Sequence, residues 1–394
     1  MARRRIAVVT TSRADYGLLY WVLRELERDP RVRLQLVVTG MHFSREHGST
    51  YRRIRADGFV PAAEVRVDVG AGTEEDIARS TGRMTSGLAG AFARLRPELV
   101  VVLGDRYELL PVASVATLFR VPIAHLHGGE ATEGLIDEAV RHAVTKLSHL
   151  HLVAARPYAE RVRAMGEEPW RIRVVGTPGL DHLRRTPLPP LAETLARIGL
   201  PIHDRRPLVL VTYHPVTLQA GQAARQARAL ARALVAVPAR VVVTAPNADP
   251  EYRPIIRALS TLTRSRSEVR FVADLGSAGY LSLLKHADVM VGNSSSGLTE
   301  APSFGLPVVN VGDRQRGRLR AANVIDVEPT AASIGRGVRR ALSPAFRRRA
   351  RAAKNPYGGP GASVRIAKLL ASVPLDERLL TKRLVVPASR RRRL

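Results

Sequence analysis

Short apolar runs alternate with amphipathic segments along most of the chain. The clearest run, Leu99–Leu103, has five consecutive apolar residues, which is typical of a strand buried inside a parallel sheet. Similar runs predict further strands at Ile6–Thr11, Leu34–Thr39, Val121–Leu126, Leu150–Val153, Ile172–Val175, Leu208–Tyr213, Val241–Thr244, Val269–Val272, Ala287–Val291, Leu306–Val311 and Val324–Val327. The segments between them have the wider apolar spacing of helices. The alternation predicts an α/β fold with parallel sheets.

A proline-rich stretch around Pro187 interrupts this alternation and indicates a linker between two domains. The predicted organisation is an α/β domain at residues 1–186, a linker at 187–205, a second α/β domain at 206–372 and a tail at 373–394. The second domain is predicted to end with a crossing helix at Ala362–Leu370. The tail has little core signal and ends in consecutive arginines, so we expect it to be basic, mobile and solvated.

Length and residue usage limit the class of protein. A chain of 394 residues suits two domains of ordinary size. The absence of cysteine excludes disulfides, thiolate catalysis and cysteine-ligated metals. No apolar run reaches the roughly eighteen residues of a membrane helix. The first apolar run, Ile6–Val9, is too short for a signal peptide, so we expect a cytoplasmic protein with no membrane partner.

The formal net charge of +27 raises the possibility of nucleic-acid binding. The arginines, however, are spread over most predicted helices, and aromatic residues make up only 5% of the chain, too few for a base-stacking platform. Arginine also greatly outnumbers lysine, which indicates a general compositional bias. The pattern therefore argues against a nucleic-acid partner, although a positive surface would still attract an anionic substrate.

A small-residue turn, Gly292–Gly297, follows one apolar strand and precedes a predicted helix at Leu298–Phe304. Unpaired backbone N–H groups at such a place bind phosphate. The hydroxyls of Ser294 and Ser295 would add donors, as would the guanidinium of Arg314 in the next loop. Glu300 would repel phosphate and is better suited to accept hydrogen bonds from sugar hydroxyls. The turn therefore predicts a nucleotide-diphosphate site, and an ordinary serine-capped turn is the alternative.

Polar residues in the first half also follow predicted strands, where open α/β sheets bind their ligands. Arg13 follows the first strand and Asp105 follows Leu99–Leu103, which makes both candidate site residues. The alternatives are a surface arginine and a helix-capping aspartate. The usual dinucleotide motif G-x-G-x-x-G is missing after the first strand, so a dehydrogenase-type fold is disfavoured.

The segment from His125 to His142 combines histidines, acids and paired glycines. No H-x-x-x-H spacing occurs there, so acid–base chemistry by Glu130 and Asp137 is favoured over a metal site. An ion pair between Asp137 and Arg141 within one helix is the structural alternative. In the second half His214 and Asn247 also follow predicted strands.

Taken together, these polar segments resemble those of the hydrolysing UDP-N-acetylglucosamine 2-epimerases of the sialic-acid-pathway branch. The segments that carry the resemblance are Thr11–Gly17, Gly104–Arg106, His127–Glu130, Ile136–His142, His214–Thr217, Pro246–Asp249, Gly292–Glu300 and Gly312–Gln315. The resemblance implies a glycosyltransferase-B-like fold, in which two Rossmann-like domains have parallel sheets that face a central cleft.

The resemblance also implies the reaction. A UDP-linked 2-acetamido sugar would lose UDP by elimination across C1 and C2. Water would then add at C1 while a proton returns to C2 from the opposite face. The products would be UDP and a free manno-type sugar for nonulosonic (sialic or legionaminic) acid synthesis. No metal or redox cofactor is implied, and family members are expected to form homodimers or homotetramers.

The roles of individual residues follow by position from the same resemblance. The catalytic candidates are Asp105, Glu130, Asp137 and His214. The UDP-binding candidates are Arg13, Asn247, Ser294, Ser295 and Arg314, with Glu300 on the ribose hydroxyls. Several family members have a glutamate at the position of His127, so either Glu130 or His127 takes its role. Leu18 replaces a family lysine, which removes one phosphate contact.

The form with His127 is similar to relatives that act on UDP-2,4-diacetamido-2,4,6-trideoxyglucose, so this sugar and UDP-N-acetylglucosamine are both candidate substrates. Three other functions stay open. A non-hydrolysing 2-epimerase would return a UDP-sugar. A glycosyltransferase on the same scaffold would need an acceptor. A basic nucleic-acid-binding protein would bind DNA and turn over no UDP-sugar.

Overall fold

The computed structural model describes residues 3–44, 50–68, 73–246, 251–273 and 275–386. The strands in this part of the chain are β1 (Arg4–Thr10), β2 (Val32–Thr39), β3 (Ala63–Val65), β4 (Leu99–Leu103), β5 (Ile123–Leu126), β6 (Leu150–Val153), β7 (Ile172–Val174), β8 (Leu208–Thr212), β9 (Arg240–Thr244), β10 (Val269–Val272), β11 (Val289–Gly292), β12 (Val308–Val311) and β13 (Val324–Val327).

The α-helices alternate with these strands. They are α1 (Arg13–Arg28), α2 (Tyr51–Ala56), α3 (Glu74–Leu95), α4 (Leu109–Leu118), α5 (Asp137–Leu147), α6 (Arg156–Ala164), α7 (His182–Arg185), α8 (Leu191–Arg197), α9 (Ala223–Val235), α10 (Tyr252–Ser265), α11 (Gly276–His286), α12 (Ser296–Thr299), α13 (Ala331–Leu342), α14 (Pro344–Arg351), α15 (Ala362–Ser372) and α16 (Glu377–Leu380). No described helix is both long and apolar enough to cross a membrane.

The chain divides into two compact units, and each contains one parallel sheet. Unit 1 consists of Met1–Glu130, Asp137–His182 and Pro360–Leu394, and unit 2 consists of Ala131–Ile136 and Leu183–Gly359. The prediction of two Rossmann-like α/β domains is thereby confirmed. The predicted boundary differs at the C-terminus, because α15 was predicted in the second domain and belongs to unit 1.

The sheet of unit 1 has the strand order β3-β2-β1-β4-β5-β6-β7. Apolar side chains cover both of its faces, with Val101 and Leu126 on one side and Val100 and Val102 on the other. All five residues of β4 are buried. The uninterrupted apolar run at Leu99–Leu103 is thus explained by a central strand that packs on both faces.

The sheet of unit 2 has the order β10-β9-β8-β11-β12-β13 and is also apolar on both faces. Strands β8 and β11 approach closely where they end. A Cβ on Gly292 would lie 2.0 Å from the Thr212 carbonyl oxygen, and Gly292 has φ +140°. Only glycine fits this position, and it brings the loops that follow β8 and β11 side by side.

Each sheet reverses its strand order at one point, between β1 and β4 in unit 1 and between β8 and β11 in unit 2. Open α/β sheets bind ligands just beyond the carboxyl ends of the strands at such a reversal. The predicted residues Arg13 and Asp105 follow the two strands of the first reversal, and His214 and Ser294 follow those of the second. The topology therefore places one group of candidate residues in each unit.

The helix predicted at Leu298–Phe304 is interrupted. The structure has the single turn α12 and then a 3₁₀ helix at Ala301–Phe304. Pro302 is the cause, since it has no N–H to donate and its ring clashes with the carbonyl four residues earlier. Gly305 then ends the segment at φ +62°.

The C-terminal segment is held in unit 1 by hydrogen bonds as far as Val385, whose N–H donates to the Gly166 carbonyl oxygen at 2.9 Å, so the prediction of a mobile, solvated tail from Val373 was wrong there. The buried guanidinium of Arg171 donates to the carbonyl oxygens of Leu379 at 2.7 Å and Thr381 at 2.7 Å. Lys382 forms an ion pair with Glu167 at 2.9 Å. These partners are distant in sequence, which is why local composition did not reveal them. Residues 387–394 lie outside the described residues.

Candidate active site

Asp105 and Arg141 form the centre of the candidate site in unit 1. Asp105 follows β4 directly after Gly104, whose φ of +95° turns the chain at the strand end. Arg141, one turn into α5, is fully buried and donates to the Asp105 carboxylate. Its other partners are the Glu138 carboxylate and the Glu130 carbonyl oxygen, the latter at 2.9 Å. One guanidinium thus ties the loop after β4 to the loop after β5.

The pair with Asp105 is a partner of Arg141 that the helical spacing of Asp137 and Arg141 did not suggest. Burial alone would lower the pKa of Arg141, but the charges of Asp105, Glu130 and Glu138 raise it above its usual value. The Asp105 side chain is 21% exposed, so it is paired and still accessible. Asp137, the first residue of α5, is half-buried.

His125 forms a hydrogen bond to the backbone at the end of β4. Its Nε2 donates to the carbonyl oxygen of Gly104 at 2.7 Å, immediately before Asp105. Burial lowers the pKa of His125 to about 3, so the ring is neutral. A neutral, buried imidazole that donates to a backbone carbonyl holds a loop in place and has no exposed nitrogen for chemistry.

His127 and Glu130 form a direct pair in the loop after β5. Their side chains meet with 2.7 Å between His127 Nδ1 and Glu130 Oε1. The other ring nitrogen, Nε2, lies 3.1 Å from the hydroxyl of Thr177, which follows β7. Both residues that the sequence offered for one catalytic role are therefore brought together, and Thr177 is added to them.

Arg13 is exposed at the start of α1. The loop before it is fixed by Asp15, whose carboxylate accepts from the backbone N–H of Thr11 at 2.8 Å and its hydroxyl at 2.7 Å. Buried His42 lies 2.9 Å from the Thr10 hydroxyl, and burial lowers its pKa. The carboxylate and the imidazole therefore set the conformation of the loop that carries Arg13.

Asn293 organises the candidate site of unit 2. Its buried amide accepts from the backbone N–H of His214 at 2.7 Å and donates to the backbone carbonyl of His214 at 2.8 Å. The backbone carbonyl of Asn293 accepts in turn from Gln315 at 2.8 Å and Arg314 at 3.3 Å. Neutral amides thus join the loops after β8, β11 and β12.

The predicted nucleotide-binding residues line the turn that follows Asn293. Ser294 and Ser295 are partly exposed, and the Ser294 hydroxyl accepts from the backbone N–H of Ser296 at 3.4 Å. Glu300 is also partly exposed and accepts from the Thr299 hydroxyl. Hydroxyls and backbone N–H groups are donors at this turn, and Arg314, which contacts the Asn293 carbonyl, adds a guanidinium. Asn247 lies outside the described residues.

Sequence reasoning missed Asn293, Gln315 and Thr177 as candidate residues. Asn293 and Gln315 both occur within the segments that carry the family resemblance. Asn293 directly follows a buried strand, and a polar side chain at such a place is expected to form hydrogen bonds that join neighbouring loops. Thr177 gives no such signal, because its partner His127 is 50 residues away in sequence. Among the described residues, no group of three or more His, Cys, Asp or Glu side chains could hold a metal ion.

The fold and the strand-end residues define a glycosyltransferase-B-like α/β protein. The fold is similar to that of solved 2-epimerase structures, such as the UDP-GlcNAc 2-epimerase from Neisseria meningitidis bound to UDP-GlcNAc. That structure has a TM-score of 0.78 at 18% identity, over 93% of this chain and 99% of the other. At this identity the likeness concerns the fold alone.

The chain belongs to the UDP-N-acetylglucosamine 2-epimerase family, whose sequence model matches residues 24–371. A relative from Legionella pneumophila, named UDP-N,N'-diacetylbacillosamine 2-epimerase (hydrolyzing), is 36% identical over 96% of this chain and 98% of its own length. A second from Campylobacter jejuni, named GDP/UDP-N,N'-diacetylbacillosamine 2-epimerase (hydrolyzing), is 36% identical over 83% and 85%. The predicted family membership is thereby confirmed, and the protein is an enzyme.

Proposed function

We propose that this enzyme is a hydrolysing 2-epimerase of a UDP-2-acetamido sugar, with UDP-N,N'-diacetylbacillosamine as its preferred substrate. This sugar is the 2,4-diacetamido-2,4,6-trideoxyglucose of the sequence prediction. The products are UDP and the free, C2-inverted sugar, which would enter nonulosonic acid synthesis. The observation that carries the proposal is the 36% identity to the Legionella relative over nearly the full length of both chains.

The geometry of unit 1 supports acid–base catalysis at C2 of the sugar. An elimination across C1 and C2 needs a base for the C2 proton and an acid for the opposite face. Unit 1 holds a partly exposed carboxylate at Asp105 and an imidazole–carboxylate pair at His127 and Glu130. Buried and paired groups of this kind suit proton transfer to and from a weakly acidic C–H.

The geometry of unit 2 supports binding of the leaving group. Ser294 and Ser295 offer hydroxyls, and Arg314 offers a guanidinium, which are donors suited to a diphosphate. Glu300 offers a carboxylate that suits the two ribose hydroxyls. Donors that stabilise the departing diphosphate lower the barrier for breaking the C1–O bond.

The reaction balances as an elimination followed by an addition. A base takes the proton from C2, the C–H electron pair forms the C1=C2 bond, and the C1–O pair leaves with UDP. Water then adds its oxygen at C1 and gives up one of its two protons to a base or to solvent, and an acid returns a proton to C2 from the opposite face. The overall reaction needs no external oxidant or reductant.

Incubation of the enzyme with each UDP-sugar in deuterated water tests this proposal. We expect UDP and free sugar to form in equal amounts without an acceptor, with deuterium at C2 and a higher kcat/KM for UDP-N,N'-diacetylbacillosamine. NMR and mass spectrometry report all three. Recovery of only an epimeric UDP-sugar would instead identify a non-hydrolysing 2-epimerase and overturn the proposal.

Two further expectations stay predictions. The homodimer or homotetramer can be checked by the solution mass of the purified protein. The cytoplasmic location can be checked by fractionation of the producing cells.

A further inference from the structure

The side chains of His127, Glu130 and Thr177 in unit 1 form a chain of hydrogen bonds. Glu130 contacts Nδ1 of His127 at 2.7 Å, and Thr177 contacts Nε2 of the same ring at 3.1 Å. We infer that His127 is the base that removes the C2 proton, and that Glu130 and Thr177 position its ring. This inference rests on the proposed function.

The carboxylate decides which nitrogen of His127 can act as a base. An ionised carboxylate only accepts hydrogen bonds, so the proton between Glu130 and His127 belongs to Nδ1. Nε2 then carries the free electron pair and accepts from the Thr177 hydroxyl. The same carboxylate stabilises the imidazolium that forms when Nε2 takes up a proton, as in Ser-His-Asp triads.

The exposure of the three side chains points to the imidazole as the member that meets a ligand. The His127 side chain is 11% exposed, whereas that of Glu130 is 3% exposed and Thr177 is 2% exposed. Glu130 and Thr177 are therefore more buried than the ring that they contact, so they can orient it but have little access to a substrate.

The backbone of His127 supports a functional role for its side chain. His127 has φ +66°, a left-handed conformation that favours glycine and costs energy for histidine. The following residue is a glycine, and Gly129 has φ +74° with its Cβ position only 2.5 Å from the Tyr158 carbonyl oxygen. In a loop already rich in glycine, a strained histidine indicates that the ring itself is needed.

Hydrogen bonds to neighbouring elements also hold the backbone of this loop, as the positioning of a group for proton transfer requires. Arg161 donates to the carbonyl oxygen of Gly129 at 2.7 Å, and Arg141 donates to that of Glu130 at 2.9 Å. The His127 N–H donates to the Leu152 carbonyl oxygen at 3.2 Å. The backbone is thereby tied to β6, to α5 and to α6.

The proton step can be written with these atoms. The Thr177 hydroxyl first gives up its hydrogen bond to Nε2 of His127, which frees the lone pair of that nitrogen. Nε2 then takes the C2 proton, the C–H electron pair becomes the C1=C2 bond, and the C1–O pair leaves with UDP. The new Nε2–H can then donate to the Thr177 oxygen, because a hydroxyl serves as donor and as acceptor. Thr177 is thus a partner for both protonation states of the ring.

Substitution of His127 tests the assignment. His127→Asn keeps a residue that tolerates positive φ but removes the ring, so we expect kcat for UDP release to fall about 1,000-fold. His127→Gly is expected to fall equally and to recover at least about tenfold with added imidazole. Calorimetry should show an unchanged Kd for UDP, and circular dichroism an intact fold. Asp105→Asn with imidazole is the control that is expected to show no rescue.

Glu130 and Thr177 are tested as positioning residues. Glu130→Gln is expected to lower kcat about 10- to 100-fold with little change in KM, as for the loss of a charge-assisted hydrogen bond. Thr177→Val is expected to lower kcat about fivefold, and Thr177→Ser to keep wild-type kcat, since it retains the hydroxyl. The double variant H127N/E130Q should be no slower than H127N, because Glu130 acts through the ring.

The outcomes separate this inference from the proposed function. If the wild-type enzyme releases no UDP from either UDP-sugar, the proposed function and this inference both fail. If the wild-type enzyme is active and His127→Asn keeps more than about a tenth of its kcat, this inference alone fails. It also fails if Glu130→Gln is slower than His127→Asn and the two losses add, because Glu130 would then handle the proton itself.

Discussion

The strand-end groups of unit 1 and unit 2 are held by different kinds of interaction. In unit 1 the buried guanidinium of Arg141 joins Asp105 to Glu138, and an imidazole pairs with a carboxylate. In unit 2 the amide of Asn293 joins two loops through the backbone of His214. The main links in unit 1 are thus ion pairs, whereas the main link in unit 2 is a neutral amide, to whose residue Arg314 also donates at 3.3 Å.

This difference matches two chemical tasks. Proton transfer needs groups whose charge can change, and mutual pairing keeps such groups stable when partly buried. Binding of a diphosphate needs hydrogen-bond donors, and a neutral amide that joins the loops adds no negative charge beside them. The comparison predicts that a change of charge affects chemistry in unit 1 and UDP binding in unit 2.

The largest expected effect comes from Asp105→Asn. The amide keeps the shape of the side chain but cannot take up a proton, so we expect kcat to fall about 1,000-fold. The Kd for UDP should stay within about threefold, because the leaving group is assigned to unit 2. Stopped assays of UDP release and calorimetry with UDP measure the two effects. A loss of UDP affinity as large as the loss of rate would break the division of tasks between the units.

A fall in pH is expected to lower the stability of unit 1 before that of unit 2. Burial lowers the pKa of His125 to about 3 and that of His149 to about 4, so the unfolded chain binds more protons below its ordinary histidine pKa of 6.5. The stability from these neutral rings is complete above that pH and is lost as pH falls toward the folded values. By the linkage relation the two rings together cost about 4 kcal/mol at pH 5.

Hydrogen exchange can follow this loss strand by strand. We expect β4, β5 and β6 to lose protection between pH 6.5 and pH 4 before β8 and β11 do. Both tryptophans, Trp21 and Trp170, belong to unit 1, so their fluorescence gives a second signal for the same event. Simultaneous loss of protection in both sheets at every pH would contradict this prediction.

Much of the fold could be predicted because local sequence decides it. The strands Leu150–Val153, Val269–Val272 and Val324–Val327 agree residue for residue with the structure. Each consists of consecutive or periodic apolar positions that a buried element requires. Strand β3 was not predicted, because three residues with Glu64 at the centre carry no periodic signal.

Most of the contacts in the candidate site could not be predicted, because they join distant parts of the chain. The sequence places Arg141 four residues after Asp137, whereas the structure pairs it with Asp105, 36 residues earlier. Thr177 joins the His127 pair only because β5, β6 and β7 lie side by side. The C-terminal segment was misjudged for the same reason, since Arg171 binds it across 208 residues.

Removal of the Arg141 charge should destabilise unit 1. Arg141→Leu leaves Asp105 and Glu138 without their guanidinium, and we expect the free energy of unfolding to fall by about 3 kcal/mol. Urea unfolding followed by tryptophan fluorescence measures the loss. Arg79→Leu is the control, because the Arg79–Glu75 pair is 66% and 73% exposed and should contribute less than about 0.5 kcal/mol. Equal losses in both variants would show that the buried pairing does not stabilise unit 1.

The smallest expected effect comes from Asn293→Asp, which tests directly whether the neutral amide of Asn293 matters for UDP binding in unit 2. Asn293→Asp keeps an acceptor for the His214 N–H but loses the donor to the His214 carbonyl and adds a negative charge beside the serine turn. We expect the Kd for UDP to rise about tenfold, while the free energy of unfolding falls by only about 1 kcal/mol. Calorimetry and urea unfolding measure the two changes.

Asn293→Ser is the matched control for this last change, because it also loses the amide but adds no charge. If its Kd for UDP stays within about threefold of wild type while that of Asn293→Asp rises, the added charge is the cause. If both variants lose the same affinity, the amide acts only by holding the loops after β8 and β11 together. The contrast between a charged unit 1 and a neutral unit 2 would then describe how the loops are fixed, and the absence of charge would have no part in binding UDP.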